Sequence, residues 1–227
     1  MHIGILQTGH APDPIQAENG DYDDMFHRLL DGHGLRFTTW NVVDMDFPSG
    51  PQAADGWLIT GSRHGAYEDH PWISPLEDLI RAIHAGGQPL LGICFGHQII
   101  AQALGGQVEK FAGGWSVGRQ VYEIEGQPTA LNAWHQDQVV DLPPGARVIG
   151  SSGFCANAAL AIGDHVLTYQ PHPEFDAGVV KGLIESRGPG IVPDDLLSIA
   201  TAQLDAPLDR DRIARRMVDF LKGKVPA

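Results

Sequence analysis

The sequence is poor in cysteine, in basic side chains and in long apolar runs. It has 2 cysteines in 227 residues, and 15 Lys and Arg stand against 28 Asp and Glu, giving a formal net charge of −13. Two cysteines, Cys94 and Cys155, are too few for a disulfide framework and form no C-x-x-C pair for zinc or redox chemistry. The acidic balance argues against binding nucleic acid or an anionic membrane through bulk electrostatics.

No segment of the sequence has the features of a membrane span or an export signal. No run approaches about 18 uninterrupted apolar residues, and the stretch from Met1 to Gln7 lacks the basic start and apolar core of a signal peptide. We therefore expect a soluble, cytoplasmic protein in a reducing compartment. Hydrophobic residues make up 43% of the chain, which excludes general disorder.

Sequence motifs for common cofactors and metals are also absent. The chain contains neither the G-x-x-x-x-G-K-[ST] phosphate loop nor the G-x-G-x-x-G dinucleotide fingerprint. Its 11 histidines are scattered, and H-E-x-x-H does not occur. We expect no cofactor and no bound metal.

Short apolar runs alternate with amphipathic segments, which predicts an α/β fold with an open, mostly parallel sheet flanked by helices. The predicted strands cover residues 3–7, 35–43, 56–60, 89–93, 117–124, 139–142, 147–151, 158–162 and 166–169. The predicted helices cover residues 25–30, 72–85, 95–104, 176–186, 193–203 and 209–222. No linker divides the chain, so we expect one domain over residues 1–227 with a helical C-terminal portion from about residue 189.

The most informative segment is Gly92-Ile93-Cys94-Phe95-Gly96, where a buried strand is predicted to run into a helix. Small residues on both sides of Cys94 permit the strained turn of a nucleophile elbow. The turn would hold the sulfur at the helix N-terminus, whose partial positive charge favours the thiolate. A free buried cysteine between two turn glycines remains the alternative. Cys155 lacks this context and is interpreted as a buried strand residue.

A thiol nucleophile needs a base, and the base needs an orienting partner. His172 and Glu174 follow an apolar strand and are flanked by prolines that keep the segment extended. Residues two apart in an extended chain point the same way, so the carboxylate can fix the imidazole tautomer while the other ring nitrogen faces Cys94. The alternative is a histidine in a surface loop.

Acyl chemistry also needs donors for the developing oxyanion. One is the backbone N–H of Phe95, the residue after the nucleophile. The other is expected from the loop Gly61-Ser62-Arg63 after a neighbouring strand, because its glycine lets the backbone approach a substrate; we favour the Ser62 amide. An ordinary strand-to-loop turn would also fit this segment.

These segments resemble the class I glutamine amidotransferases. Residues 92–98, 134–139 and 170–174 occur in the family's order, and the chain is most similar to the amidotransferase domain of GMP synthase, from Ile3 to about Val179. The resemblance implies a flavodoxin-like fold, a triad of Cys94, His172 and Glu174, and a γ-glutamyl thioester that water hydrolyses. The residues that it places around the glutamyl group are Gly61, Gln98, Trp115, Ser116, Val117, Gly118 and His135.

Two departures from the family pattern leave the second oxyanion donor open and favour a stand-alone protein. The family often has Gly-Gly-Pro at the loop where this chain has Gly61-Ser62-Arg63, and the roughly 53 residues after Glu174 are too few for a synthetase domain. The segments Trp115-Ser116-Val117-Gly118 and His135-Gln136-Asp137 also resemble γ-glutamyl peptidases of the same superfamily.

Three classes of function follow from the resemblance. The first, which the family match favours, is a stand-alone glutaminase that releases ammonia, with a synthetase partner left open. The second is an independent γ-glutamyl peptidase or hydrolase. The third, a non-catalytic regulatory module, is disfavoured because Cys94, His172 and Glu174 are all present. The expected ligand is a small molecule, self-association into a homo-oligomer stays open, and the basic run 210–216 is interpreted as a solvated helix face.

Overall fold

The computed structural model describes residues 1–227, which form eleven strands and seven α-helices. The strands are β1 (His2–Leu6), β2 (Arg36–Trp40), β3 (Gly56–Ile59), β4 (Leu90–Ile93), β5 (Gln107–Lys110), β6 (Ser116–Ile124), β7 (Gln127–His135), β8 (Asp137–Asp141), β9 (Ala146–Ser151), β10 (Ala159–Ile162) and β11 (Val166–Tyr169). The helices are α1 (Asp13–Asn19), α2 (Tyr22–Leu29), α3 (Ile73–Ala85), α4 (Phe95–Ala103), α5 (Ala177–Ser186), α6 (Asp194–Ala202) and α7 (Arg210–Leu221).

Nine strands make one sheet in the order β2-β1-β3-β4-β11-β10-β9-β6-β7, and β5 pairs with β8 in a separate ribbon. The pairs from β2 through β11 are parallel, and those from β11 through β7 are antiparallel. The predicted α/β class with an open sheet flanked by helices is confirmed. The sheet is mixed rather than mostly parallel, because four of its eight strand pairs are antiparallel. No helix is both long and apolar enough to cross a membrane.

The inner parallel strands β1, β3, β4 and β11 are buried on both faces, and their side chains alternate between two cores. In β4, Leu91 packs into the core that also contains residues of α2 and α7, whereas Leu90 packs into the core that contains residues of α3 and α4. The helices therefore cover opposite faces of the sheet. The carboxyl ends of β3, β4 and β11 meet at one edge, where ligand sites of open α/β sheets form.

Three elements were not predicted from the sequence: α1, β5 and β7. The strand β5 is polar and exposed apart from Val108, and β7 opens on Gln127 and Pro128, so neither has the apolar alternation that marks a strand. The predicted strand 35–43 is too long. It ends at Trp40, and a 3-10 turn follows over Val42–Asp44.

The interpretation of the run 210–216 as a solvated face is wrong in part. Ile213 and Ala214 of α7 are buried in the core of the sheet. Arg210 reaches the backbone near the candidate base, and Arg216 binds Glu125 with its Nη2 2.9 Å from Oε1. Asp211 and Arg215 are exposed as expected, whereas Arg210 and Arg216 lie along the protein surface and donate to specific acceptors.

Candidate active site

Cys94 lies in the sharp turn between β4 and α4. It is one of three non-glycine residues with a positive φ (53°), and its side chain is buried, with 5% of the residue exposed. A Cβ at Gly92 would lie 2.5 Å from the carbonyl oxygen of Gly96, and one at Gly96 would lie 2.3 Å from that of Ile59. The turn therefore needs both glycines, and it holds Cys94 in the strained conformation expected of a nucleophile elbow.

The segment after β11 places His172 and Glu174 beside Cys94. The strands β4 and β11 are parallel neighbours, and the backbone N–H of Cys94 donates to the carbonyl of Tyr169 at 2.8 Å. His172 Nδ1 lies 2.7 Å from Glu174 Oε1, and the two residues are 3% and 2% exposed. The predicted pairing of these two side chains is present. The pair lies near Cys94 because the carboxyl ends of β4 and β11 are adjacent.

Packing and backbone contacts fix the His172 ring. It stacks on Phe175 with ring centroids 3.8 Å apart and an interplanar angle of 4°. The His172 N–H donates to the carbonyl of Asn132 at 2.8 Å. Arg210 of α7 donates from Nε to the carbonyl of Pro173 at 2.7 Å and from Nη2 to that of Glu174 at 3.0 Å. The extended segment is thus held from the sheet and from the last helix.

Two buried histidines at this site differ in protonation state: His172 is protonated and His135 is neutral. Burial alone would lower the pKa of His172, but the Glu174 carboxylate and then Cys94 raise it to about 10, so the ring is an imidazolium at neutral pH. Burial, followed by the charge of His172, lowers the pKa of His135 to about 3. His135 is therefore neutral, and its Nδ1–H donates to the carbonyl of Asp137 at 3.2 Å. Its buried Nε2 has no hydrogen-bond partner and can accept one.

The two expected oxyanion donors are the backbone N–H groups of Ser62 and Phe95. The backbone N–H of Ser62 makes no hydrogen bond within the chain. The Ser62 hydroxyl donates to the carbonyl of Thr8 at 2.6 Å and accepts from the N–H of His64 at 3.2 Å, which fixes the loop. Phe95 opens α4, so its N–H belongs to the first helical turn and has no acceptor in the helix.

Cys94 opens into a cavity of about 490 Å³. The predicted site residues that line it are Gly61, Ser62, Cys94, Gln98, Trp115, His135 and His172. The other predicted site residues, Phe95, Ser116, Val117, Gly118 and Glu174, do not line it. Gly118 faces α6 instead: its φ is +68°, and a Cβ there would lie 2.6 Å from the Cβ of Ala200.

Sequence reasoning missed the wall that α2 and α5 build. Tyr22, Phe175, Leu183 and Arg187 line the cavity on this side. Tyr22 and Arg187 are far apart in the sequence and carry no motif, so only the amphipathic character of the two helices signals that they face the protein interior.

The sequence profile of the family described as glutamine amidotransferase class-I matches residues 22–185. This chain belongs to the class I glutamine amidotransferases. A glutamine amidotransferase-like protein of Schizosaccharomyces pombe is 31% identical over 97% of this chain and 98% of its own length. Gamma-glutamyl peptidase 2 of Arabidopsis thaliana is 28% identical over 97% of this chain and 95% of its own length. The crystal structure of a glutamine amidotransferase from Methylobacillus flagellatus superimposes with a TM-score of 0.78 at 24% identity, covering 97% of this chain and 94% of that one.

One group of side chains in this amidotransferase could hold a metal ion. His64, Glu68 and His70 each offer a ligand atom, and these atoms lie within 4.8 Å of one another. His64 and Glu68 also line the cavity. A hydrogen bond accounts for part of the arrangement: His70 Nε2 lies 2.7 Å from Glu68 Oε2, and His64 Nδ1 lies 3.4 Å from the same oxygen. The expectation of no metal rests on histidines that are scattered in the sequence and form no metal-binding motif.

Gly61 lies so close to the His172 ring of the amidotransferase site that it leaves no room for a side chain. A Cβ there would lie 2.9 Å from His172 Cε1 and 3.7 Å from the Cβ of Cys94. We expect Gly61→Ala to push the imidazole aside and lower kcat by at least about tenfold, with a loss of unfolding free energy of about 1–3 kcal/mol. Steady-state kinetics and thermal unfolding measure both effects. Gly153→Ala is the matched control, since nothing lies within 4 Å of a Cβ at Gly153. Wild-type kcat in Gly61→Ala would contradict the assigned geometry.

Proposed function

We propose that this amidotransferase hydrolyses γ-glutamyl amide bonds, with Cys94 as nucleophile, His172 as acid and base, and Glu174 as the carboxylate that orients it. The observation that carries the proposal is the buried His172–Glu174 pair beside a strained cysteine in one cavity. Nucleophile, base and orienting group are the complete set that thiol acyl transfer needs.

The first half of the reaction forms a thioester. The Cys94 sulfur attacks the γ-carbonyl carbon, and the carbonyl oxygen takes the negative charge opposite the N–H groups of Ser62 and Phe95. The His172 imidazolium then gives its Nε2 proton to the leaving nitrogen as the carbon–nitrogen bond breaks. Glu174 keeps Nδ1 protonated and offsets the charge of the ring. The products of this half are a free amine and the γ-glutamyl thioester.

The second half releases glutamate. Neutral His172 accepts a proton at Nε2 from a water molecule, and the resulting hydroxide attacks the thioester carbonyl. The same two N–H groups receive the second oxyanion, and its collapse expels the Cys94 thiolate. The pair of sulfur and imidazolium is thereby restored.

Two acceptors at the cavity wall suit the α-ammonium group of a glutamyl residue. Gln98 Nε2 donates to the carbonyl of Asp137 at 2.9 Å and to Gln170 Oε1 at 3.1 Å, which leaves the Gln98 carbonyl oxygen free to accept. Neutral His135 offers its unpartnered Nε2. Both residues line the cavity, so an ammonium placed between them gains acceptors without displacing existing hydrogen bonds.

Of the possible leaving groups, we favour an amino acid or peptide over ammonia. The cavity extends past Cys94 to the apolar and basic wall that α5 contributes, so it has room for a group beyond the scissile bond. A relative named γ-glutamyl peptidase matches this chain over nearly its whole length, which supports activity without a synthetase domain. Glutamine hydrolysis is the second candidate, supported by the amidotransferase family itself.

The test compares glutamine with a panel of γ-glutamyl dipeptides as substrates of the purified protein. We expect kcat/KM for the best dipeptide to exceed that for glutamine by more than about tenfold, a difference of roughly 1.4 kcal/mol in transition-state binding. Released glutamate is measured, with Cys94→Ala as the blank. Slow glutamine hydrolysis that accelerates when cell extract is added would favour the synthetase-dependent function instead. No hydrolysis of any γ-glutamyl compound would overturn the proposal.

A further inference from the structure

The cavity contains three basic side chains that form no ion pair. Arg63, Lys110 and Arg187 line it, and none has a carboxylate within 4 Å. The chain as a whole has a net charge of −13. Three unpaired basic side chains around one cavity therefore give this cavity a charge of the opposite sign to that of the whole chain. A cleft lined in this way attracts an anionic ligand.

Arg187 differs from the other two because it is partly buried, whereas Arg63 and Lys110 are exposed. It caps the C-terminus of α5, and its Nη2 donates to the carbonyl of His10 at 3.1 Å. The remaining guanidinium N–H groups have no partner within the chain. A guanidinium held by one hydrogen bond and open at its other donors is arranged for a carboxylate, which can accept two parallel bonds.

Side-chain packing places Arg187 on the His172 side of the cavity. Leu183, one helical turn before Arg187 at the end of α5, packs in one apolar cluster with Tyr22 and Phe175. Tyr22 stacks on Phe175 with centroids 6.2 Å apart, and Phe175 stacks on His172. His172 is the group that protonates the leaving nitrogen in the proposed mechanism, and the leaving group therefore extends toward this wall.

We infer that Arg187 binds a carboxylate of the leaving group and selects γ-glutamyl amino acids and peptides with a free carboxylate near the scissile bond. This inference rests on the proposed hydrolysis of γ-glutamyl bonds. It assigns substrate specificity within that reaction to Arg187. Leu183 and Ile191 line the same part of the cavity, so an apolar side chain beside the carboxylate is accommodated.

A pair of substrates isolates the carboxylate: γ-glutamyl-leucine and γ-glutamyl-leucinamide, which differ only in that group. We expect the wild-type protein to prefer the free acid by about tenfold or more in kcat/KM, because a charge-assisted hydrogen bond is lost with the amide. Arg187→Gln should bring this ratio close to one, chiefly through a higher KM for the acid. Arg187→Lys should give an intermediate ratio, since lysine keeps the positive charge but cannot donate the two parallel hydrogen bonds of a guanidinium.

The matched control is Arg215→Gln, which removes an exposed arginine of α7 outside the cavity and should keep the wild-type ratio. Thermal unfolding of each variant checks that α5 remains docked. A wild-type ratio near one, or an equal loss on both substrates in Arg187→Gln, overturns the inference while leaving γ-glutamyl hydrolysis standing. The second of these outcomes would mean that Arg187 binds the glutamyl α-carboxylate or only anchors the loop at His10. If the wild-type protein cleaves neither substrate, the proposed function itself fails.

Discussion

Cys94→Ala is expected to abolish γ-glutamyl hydrolysis, with a loss of at least about 10⁴-fold in kcat, because no other group can form the thioester. Cys155→Ala is the matched control and should keep most of the activity. Burial raises the pKa of the Cys155 thiol to about 12, so this cysteine is uncharged at neutral pH and cannot act as a nucleophile. Initial rates of glutamate release measure both variants.

Labelling provides an independent measurement of the same assignment. A chloroketone or diazo analogue of glutamine should modify one site, and peptide mapping should locate the label on Cys94. The Cys155→Ala protein should be labelled as the wild type is, after a loss of roughly 1 kcal/mol of unfolding free energy from the buried position. Label on Cys155, or hydrolysis by Cys94→Ala, would refute the nucleophile.

His172→Ala should lower kcat by about 10³- to 10⁴-fold and change KM little, because it removes the proton carrier of both half-reactions. Glu174→Gln should cost less, since the amide oxygen can still accept from Nδ1–H and keep the ring oriented. The comparison separates proton transfer from orientation. A His172→Ala protein with near wild-type turnover would disprove the triad.

The pH dependence of Glu174→Gln gives a second readout of the pair. The carboxylate is the largest influence that raises the pKa of His172, which lies at about 10 in the wild type, so its removal should move this pKa down. Activity needs the imidazolium to protonate the leaving nitrogen, and it therefore falls as pH rises through that pKa. The alkaline limb of kcat/KM should shift to lower pH in the variant. An NMR titration of the His172 ring would follow the same shift directly.

The sequence predicted the parts of this protein that depend on neighbouring residues. The elbow at Cys94 follows from two glycines within two residues of it, and the pairing of His172 with Glu174 follows from extended spacing between prolines. The alternation of apolar runs was enough for the α/β class. Each of these features depends on local sterics or on the periodicity of a short segment, so it can be predicted from that segment alone.

The parts that the sequence did not reveal depend on contacts between distant segments. Arg187 has no motif around it, and it lines the cavity because α5 packs beside α1 and the loop at His10. Val117 and Gly118 fit the family resemblance, yet Gly118 is a glycine because α6 approaches it closely. The polar strand β5 forms because β8 provides its hydrogen bonds, and its own residues give no signal.

The two hydrogen bonds from Arg210 to the carbonyls of Pro173 and Glu174 have a consequence for biosynthesis. The elbow and the sheet strands that support it are complete before α7 leaves the ribosome, because chains are made from the N-terminus. The base segment gains its final anchor only when that last helix docks. A nascent chain therefore carries the Cys94 thiol before Arg210 can anchor the segment of His172 and Glu174.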